Sequence, residues 1–371
     1  VNSYRQGVYR SPVRIGSIWD FLVYLIILAQ RSAKMANLAN WARIGSAGVV
    51  VLLAGRLCAD EFPTAERTRQ AIERGLMFVQ ADAATWRAER TCATCHHGVL
   101  TVLTLAEARH RGLSVENDRF ADVVNWTKER LSKIDEPRDT RPGWSMVNTP
   151  AVYLGLLTQF VPGQAVVSEQ ELVSIRGHLL RHQEENGSWA WSSAPAKNRP
   201  PPFFESDEVA TLLALLTFPS EGDIAIEELR ASRRKAIDWL AKADETDTTQ
   251  AAALRLLWRK RAEPAADVQP CIERFLNRQR SDGGFAQLAD RCSDAYATGQ
   301  SLYVLNLLGV PMDRPEIQRA IGFLVATQRD DGSWPMIRRG HEGVVPSENV
   351  VPIIYFGSAW ATLGLMRSTP L

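Results

Sequence analysis

Cysteine is scarce: Cys58, Cys92, Cys95, Cys271 and Cys292 are all that 371 residues carry. That is too few for the disulfide framework that holds small secreted domains together. An excess of one charge is missing as well. The formal net charge is +1, from 43 basic and 42 acidic residues that are well mixed along the chain. No electrostatic footprint for nucleic acid or another polyanion is present. Two apolar runs near the amino end, residues 21–29 and 47–55, are separated by Arg31, Lys34 and Arg43. Neither reaches the roughly 20 residues that a membrane-spanning helix needs. What the chain does have is apolar residues, 45% of the total, enough to bury a large core.

The second apolar run reads as a secretory signal. Met35 serves as its start, Arg43 as its positive flank, residues 44–55 as its hydrophobic region and Leu57-Cys58-Ala59 as its cleavage site. Residues 1–59 are then a leader, of which 1–34 lie upstream of that start, and residues 60–371 are one domain, periplasmic or secreted. An uncleaved membrane anchor is the competing reading of the same run.

Beyond the leader the chain repeats itself. Residues 183–189 (QEENGSW), 279–285 (QRSDGGF) and 328–334 (QRDDGSW) share a Gln, a Gly four places on and an aromatic two places after that. Residues 80–86 keep the Gln and the Trp but lose the glycine. Each copy comes after an apolar helical pattern, with Leu76, Leu179, Phe275 and Leu324 four residues before the Gln. Asn or Asp followed by Gly stops a helix, because Gly adopts the left-handed conformation that closes a carboxyl end. Degenerate copies around residues 126–133 and 236–244 complete six first helices, about fifty residues apart, a period typical of helical-pair repeats.

Each first helix is paired with a second. The spacing predicts that these second helices open at Cys95, Asn148, Asp207, Thr248, Asp294 and Ser358, each with Gly or Ala three places on. Most of those openers are good caps for free backbone N–H groups. The stretches after them are apolar all round, as in residues 209–218, 301–308 and 359–366, and such helices are buried. The first helices carry charge on one face and form an outer layer. The result is an all-α fold, an α6/α6 toroid of six helical hairpins, with the amino ends of the inner helices gathered at one mouth. Helix dipoles converging there favour anionic or electron-rich ligands.

The Gln-x-x-x-Gly-x-Trp pattern resembles the QW motif of the squalene-hopene cyclases and related prenyltransferases, over residues from about 66 to 371. Residues 293–300 and 357–362 further resemble a bacterial subgroup of cyclase-like proteins. The resemblance implies that each Gln and Trp tie an outer helix end to the next inner helix. It also implies a terpenoid-cyclase-like toroid that acts on or binds an apolar, isoprenoid-type molecule in a central cavity. Cyclases of this kind begin a carbocation cascade with an Asp-x-Asp-Asp acid, an isomerase-type reaction. The matching stretch here is Glu245-Thr246-Asp247-Thr248, in which Asp247 stands in place, Glu245 is a conservative partner and Thr248 is a loss. Removing that carboxylate removes much of the like-charge pressure that raises a neighbour's pKa. The prenyltransferase zinc site is likewise incomplete, since Tyr296 stands where a Cys is needed.

Cys92-Ala93-Thr94-Cys95-His96 fits the C-x-x-C-H pattern of c-type haem attachment, with Cys92 and Cys95 as thioether sites and His96 as the iron ligand. The rival readings are a disulfide between the two cysteines, a metal site using them with His97, and no ligand at all. With haem, the distal ligand would come from Met146, His178, His182 or His341. Three functions therefore stand open: an isoprenoid-directed toroid with Asp247, Asp207, Asp294 and Glu245 as catalytic candidates, a covalent-haem redox protein, and a non-catalytic binding scaffold. Capping is the simpler role for Asp207 and Asp294. Inner-helix aromatics such as Tyr153, Tyr296, Tyr303, Tyr355 and Trp360 are either core or a cation-stabilising pocket lining. Cys271 and Cys292 fall in one hairpin and are candidates for pairing.

Overall fold

The protein is described by a computed structural model over residues 62–90, 96–131, 149–161, 163–164, 166–189, 206–219, 226–337 and 351–370. Residues 62–371 make up one compact unit. Twelve α-helices lie in the described residues, and their only extended pairing is a single antiparallel bridge between Ala286 and Ser293. None of these helices is long and apolar enough to cross a membrane.

The odd-numbered helices are α1 (Ala65–Glu89), α3 (Asn117–Leu131), α5 (Glu169–Arg181), α7 (Glu227–Leu240), α9 (Gln269–Leu276) and α11 (Pro315–Thr327). Each buries one face; in α1 the buried stripe runs through Ala71, Ile72, Gly75, Leu76 and Val79. Their starts are encoded locally. Thr64 caps α1, Ser168 and Glu171 form a reciprocal capping box on α5, and Pro270 and Pro315 stand in the first turns of α9 and α11.

The even-numbered helices are α2 (Val99–His110), α4 (Thr149–Phe160), α6 (Asp207–Thr217), α8 (Thr249–Ala262), α10 (Ala295–Leu307) and α12 (Val351–Ser368). In α10 every residue from Ala295 to Leu305 is buried, as an inner position requires. Each even helix packs on the next, and α12 packs back on α2, so the inner ring is closed. The tightest approach is α10 to α12, where a Cβ on Gly299 would meet the backbone of Trp360 and one on Gly364 the backbone of Gly299.

The three full repeats share one geometry. Gln183, Gln279 and Gln328 donate through Nε2 to the carbonyl of their own glycine, at 2.9, 2.8 and 3.1 Å. The same amides donate to the next outer helix, at Ser232, Glu316 and Ala71, over 2.9, 2.6 and 2.9 Å. Gly187, Gly283 and Gly332 have φ of +97°, +84° and +86° and lie against the carbonyls of Lys235, Arg319 and Arg74, where no side chain fits. The backbone N–H of Trp189, Phe285 and Trp334 donates to an inner-helix hydroxyl, Thr211, Thr298 and Ser358, at 3.0, 2.9 and 3.0 Å. Both tryptophan indoles also cap a leucine carbonyl of the preceding helix. Fully buried, each tryptophan contributes on the order of 4–6 kcal/mol from the roughly 150–250 Å² it removes from water. The aromatic thus reaches the next inner helix as the resemblance implies, while the Gln reaches the next outer one.

Three local expectations are corrected. Residues 80–86 do not end a helix: α1 runs on to Glu89, because Ala81, Ala83 and Ala84 are helix formers and no glycine stops it. Asp207 is the first residue of α6 and the capping side chain is Ser206, which accepts the Val209 N–H at 3.2 Å. Ser358 lies inside α12 rather than at its start. Thr248 and Asp294 do cap α8 and α10, by accepting the N–H of Ala251 and Ala297. Cys95 and Asn148 lie outside the described residues, and Gly98 occupies the cap position of α2.

Candidate functional site

The amino ends of α6, α8 and α10 are tied to one another directly. Glu208 accepts the Thr246 N–H at 2.6 Å and pairs with Arg255 at 2.5 Å, joining α6 to the approach of α8. Thr249 donates its N–H to Gln287 O (3.1 Å) and its hydroxyl to Ala286 O (2.6 Å), and Gln287 in turn donates to Asp294 at 2.8 Å, joining α8 to α10. Asp207, Asp247 and Asp294 therefore share one end of the inner ring.

Asp247 and Glu245 lack the burial of a proton-donating acid. Asp247 is exposed and bonded to Arg278 at 2.5 Å, which holds its carboxyl below the usual range. Glu245 is also exposed, with Arg255 3.8 Å away. Asp294 uses both oxygens as acceptors, from Ala297 N and Gln287 Nε2, the pattern of a helix cap. The buried carboxylate at this end is Glu208, which the sequence pattern hides behind Asp207.

A second group gathers where α1 ends, α2 begins and α12 passes. His97 is fully buried between the rings of Trp86 and Tyr355, at centroid distances of 4.4 and 3.8 Å. Its Nε2 is 2.8 Å from Asp82 Oδ2, and its Nδ1 faces Nδ1 of the buried His96. Thr101 shares a hydrogen bond with the Tyr355 hydroxyl. Burial pushes His97 down to about 3, and burial with the neighbouring His97 holds His96 well below its ordinary range. Both imidazoles are thus neutral near pH 7. Burial, reinforced by Asp331, pushes Asp82 up to about 6, so above that pH it is a carboxylate that only accepts.

These states fix the protons. His97 carries its hydrogen on Nε2, toward Asp82, which leaves Nδ1 as an acceptor. His96 must then donate from Nδ1, and its lone pair lies on Nε2. A carboxylate–imidazole chain of this kind orients a ligating histidine in metal and haem proteins. His96 accordingly fits an iron or metal ligand through Nε2. Cys92, Cys95, Met146 and His341 lie outside the described residues. His178 and His182 sit in another hairpin at the end of α5, their rings 4.1 Å apart. No cluster of three or more metal-binding side chains occurs among the described residues.

Along the axis, residues from all six inner helices, among them Leu103, Tyr153, Leu213, Gln250, Tyr303 and Trp360, enclose a space of about 30 Å³, room for about two water molecules. Gln250 Oε1, Gln300 Oε1 and Trp360 Nε1 are buried there without a partner among the described residues. The far end of the ring is held by arginines. Arg367 pairs with the buried Glu107 at 2.7 Å and donates to Phe160 O, and Arg261 donates to the carbonyls of Leu216 and Phe218. Cys271 and Cys292 are unpaired thiols, half-buried and exposed, against the expectation that they pair.

Asp82 was the residue most hidden from sequence reasoning. Its signal was the degenerate copy at residues 80–86, where the helix continues and turns a would-be loop residue toward His97.

No protein-family model matches this chain, and no curated protein matches it. Solved structures do. A variant of the type II terpene cyclase MstE from Scytonema, in complex with geranylgeranyl dihydroxybenzoate (substrate), is similar at a TM-score of 0.50 and 16% identity, over 84% of this chain and 99% of that one. A second variant with the same substrate gives 0.50 and 14%, over 82% and 98%. A third structure, in complex with merosterolic acid A (product), gives 0.50 and 16%, over 84% and 99%. At such identity the likeness establishes the α/α toroid fold of the terpene cyclases and nothing finer.

Proposed function

We propose that this cyclase-like toroid binds an isoprenoid-type molecule at the mouth formed by the amino ends of its inner helices, without starting a cyclisation from the Asp-x-Asp-Asp position. The observation that carries the reading is the state of Asp247, exposed and bonded to Arg278, which keeps ionised the group that would have to donate the proton. The tightly packed axis supports a ligand at the mouth, because a space of about 30 Å³ holds no polyprenyl chain. The solved neighbours lend the fold and the ligand class, since two structures of MstE variants hold geranylgeranyl dihydroxybenzoate, the substrate. Incubating the purified full chain with squalene and geranylgeraniol tests the proposal: saturable binding with unchanged ligand recovered is expected. A cyclised product, or no binding by either, overturns it.

A second reading rests on the orientation of His96. Residues 92–96 would hold a c-type haem in an exported protein, with Cys92 and Cys95 as thioether sites and His96 Nε2 as the ligand. Bound haem supplies one-electron chemistry. This chain's own part is the Asp82–His97–His96 chain, which fixes the ligand's tautomer and keeps water from its Nδ1 side. Expression with its leader in a host that attaches haem c should give a Soret band that survives denaturation. An apoprotein under those conditions ends the reading.

A further inference from the structure

Between outer helices α7 and α9, on the outside of the inner ring, lies a groove of about 480 Å³. Leu212 and Leu256 are among its floor residues, and Ile237, Leu240 and Phe275 line its walls. Four arginines also line it: Arg255, Arg259, Arg274 and Arg278. Two of them are matched, Arg255 by Glu208 at 2.5 Å and Arg278 by Asp247 at 2.5 Å, both toward the mouth. The other two are not. Among the described residues the side chain of Arg259 donates only to Cys271 Sγ, at 3.3 Å, and Arg274 has no ion-pair partner.

Glu208 and Glu245 also line the groove, at the end where Arg255 and Arg278 are matched, so it combines apolar walls with two guanidinium groups that have no ion-pair partner among the described residues. Apolar walls favour a hydrocarbon chain, and the volume lies within the roughly 300–1,000 Å³ of small-molecule sites. Guanidinium groups pair bidentately with carboxylate or phosphate. We infer that this lateral groove binds a free, long-chain anionic amphiphile, its head at Arg259 and Arg274 and its chain along Ile237 and Phe275. The groove meets the mouth through Glu208, Glu245, Arg255 and Arg278, and the proposed head-group position at Arg259 and Arg274 lies elsewhere along it.

Cys271 lines the groove and Cys292 does not, so the two free thiols supply a probe and an internal reference. The full chain is treated with iodoacetamide with and without palmitate, and alkylation of each cysteine is followed by peptide mass spectrometry. Palmitate should slow Cys271 at least fivefold and leave Cys292 unchanged, and hexadecanol and acetate should protect neither. Dodecyl phosphate should act as palmitate does. In the double variant R259Q/R274Q the protection should vanish while the far-UV spectrum stays the same. Both arginines are exposed, so the fold does not depend on them. Protection by hexadecanol equal to that by palmitate, protection that persists in the double variant, or no protection at all overturns the inference. Protection by anionic phospholipid vesicles but not by free palmitate also overturns it, in favour of a membrane surface. Squalene binding plays no part in this readout, so the mouth and the groove can fail independently.

Discussion

Gly332 and Gly112 both have positive φ, +86° and +78°, but a Cβ at Gly332 would run into the Arg74 carbonyl whereas one at Gly112 meets nothing. Alanine at Gly112 should cost about 1–2 kcal/mol, the price of the left-handed conformation alone. Alanine at Gly332 should cost more than about 3 kcal/mol, and urea denaturation of the two variants measures the difference. Asp247→Asn, which removes an exposed ion pair, should change stability by no more than about 1 kcal/mol in the same assay. Glu107 behaves differently. Burial pushes its carboxyl up against the pull of Arg367, so Arg367→Ala leaves a buried charge and should cost about 3–5 kcal/mol at pH 7. A raised carboxyl favours the folded state when protonated, so the deficit of the variant should shrink as pH falls from 7 to 5. A deficit that grows instead would assign Arg367 a packing role. Such residues are poorly legible in sequence: Asp82, Glu208 and Glu107 take their character from what the fold presses against them. Thr248 and Asp294 were legible because a cap acts within four residues of itself.

The three full repeats are legible as helix ends because their signal is local and chemical, a left-handed glycine followed by a large aromatic. Residues 80–86 mislead because a shared Gln and Trp do not stop a helix once the glycine is gone. The start of α12 is misplaced for a related reason. Ser358 corresponds to Thr211 and Thr298, the hydroxyls that accept the aromatic N–H, and not to the caps one turn earlier. Its small polar side chain looks like an opener when it is a receptor. Gln328→Leu removes donors to both Gly332 and Ala71 and leaves their carbonyls short of a partner. It should cost about 2–3 kcal/mol by chemical denaturation, and Gln328→Asn should not restore the loss, because its amide is one methylene too short to span both.

The closure of the ring was legible only as a count of six hairpins; that α12 packs on α2 and that Gln328 reaches Ala71 is visible only in three dimensions. An open array of helical pairs unfolds by stages, since each unit contacts only its neighbours. A closed one has no free end from which to fray. Far-UV circular dichroism and tryptophan fluorescence should therefore report coincident transitions for residues 62–371, and deletion of residues 351–371 should abolish the transition rather than leave a shorter stable array. The bond from Gln328 to Ala71 joins residues 257 apart, with Arg74 gripping the same amide from the other side. On a ribosome adding about 5–20 residues per second, α1 waits roughly 13–50 s for the turn that completes its surroundings. Until then its inward stripe of Ile72, Leu76 and Val79 lacks α12, the helix it packs on most, which makes the nascent amino-terminal hairpin a natural client for a holding chaperone during synthesis.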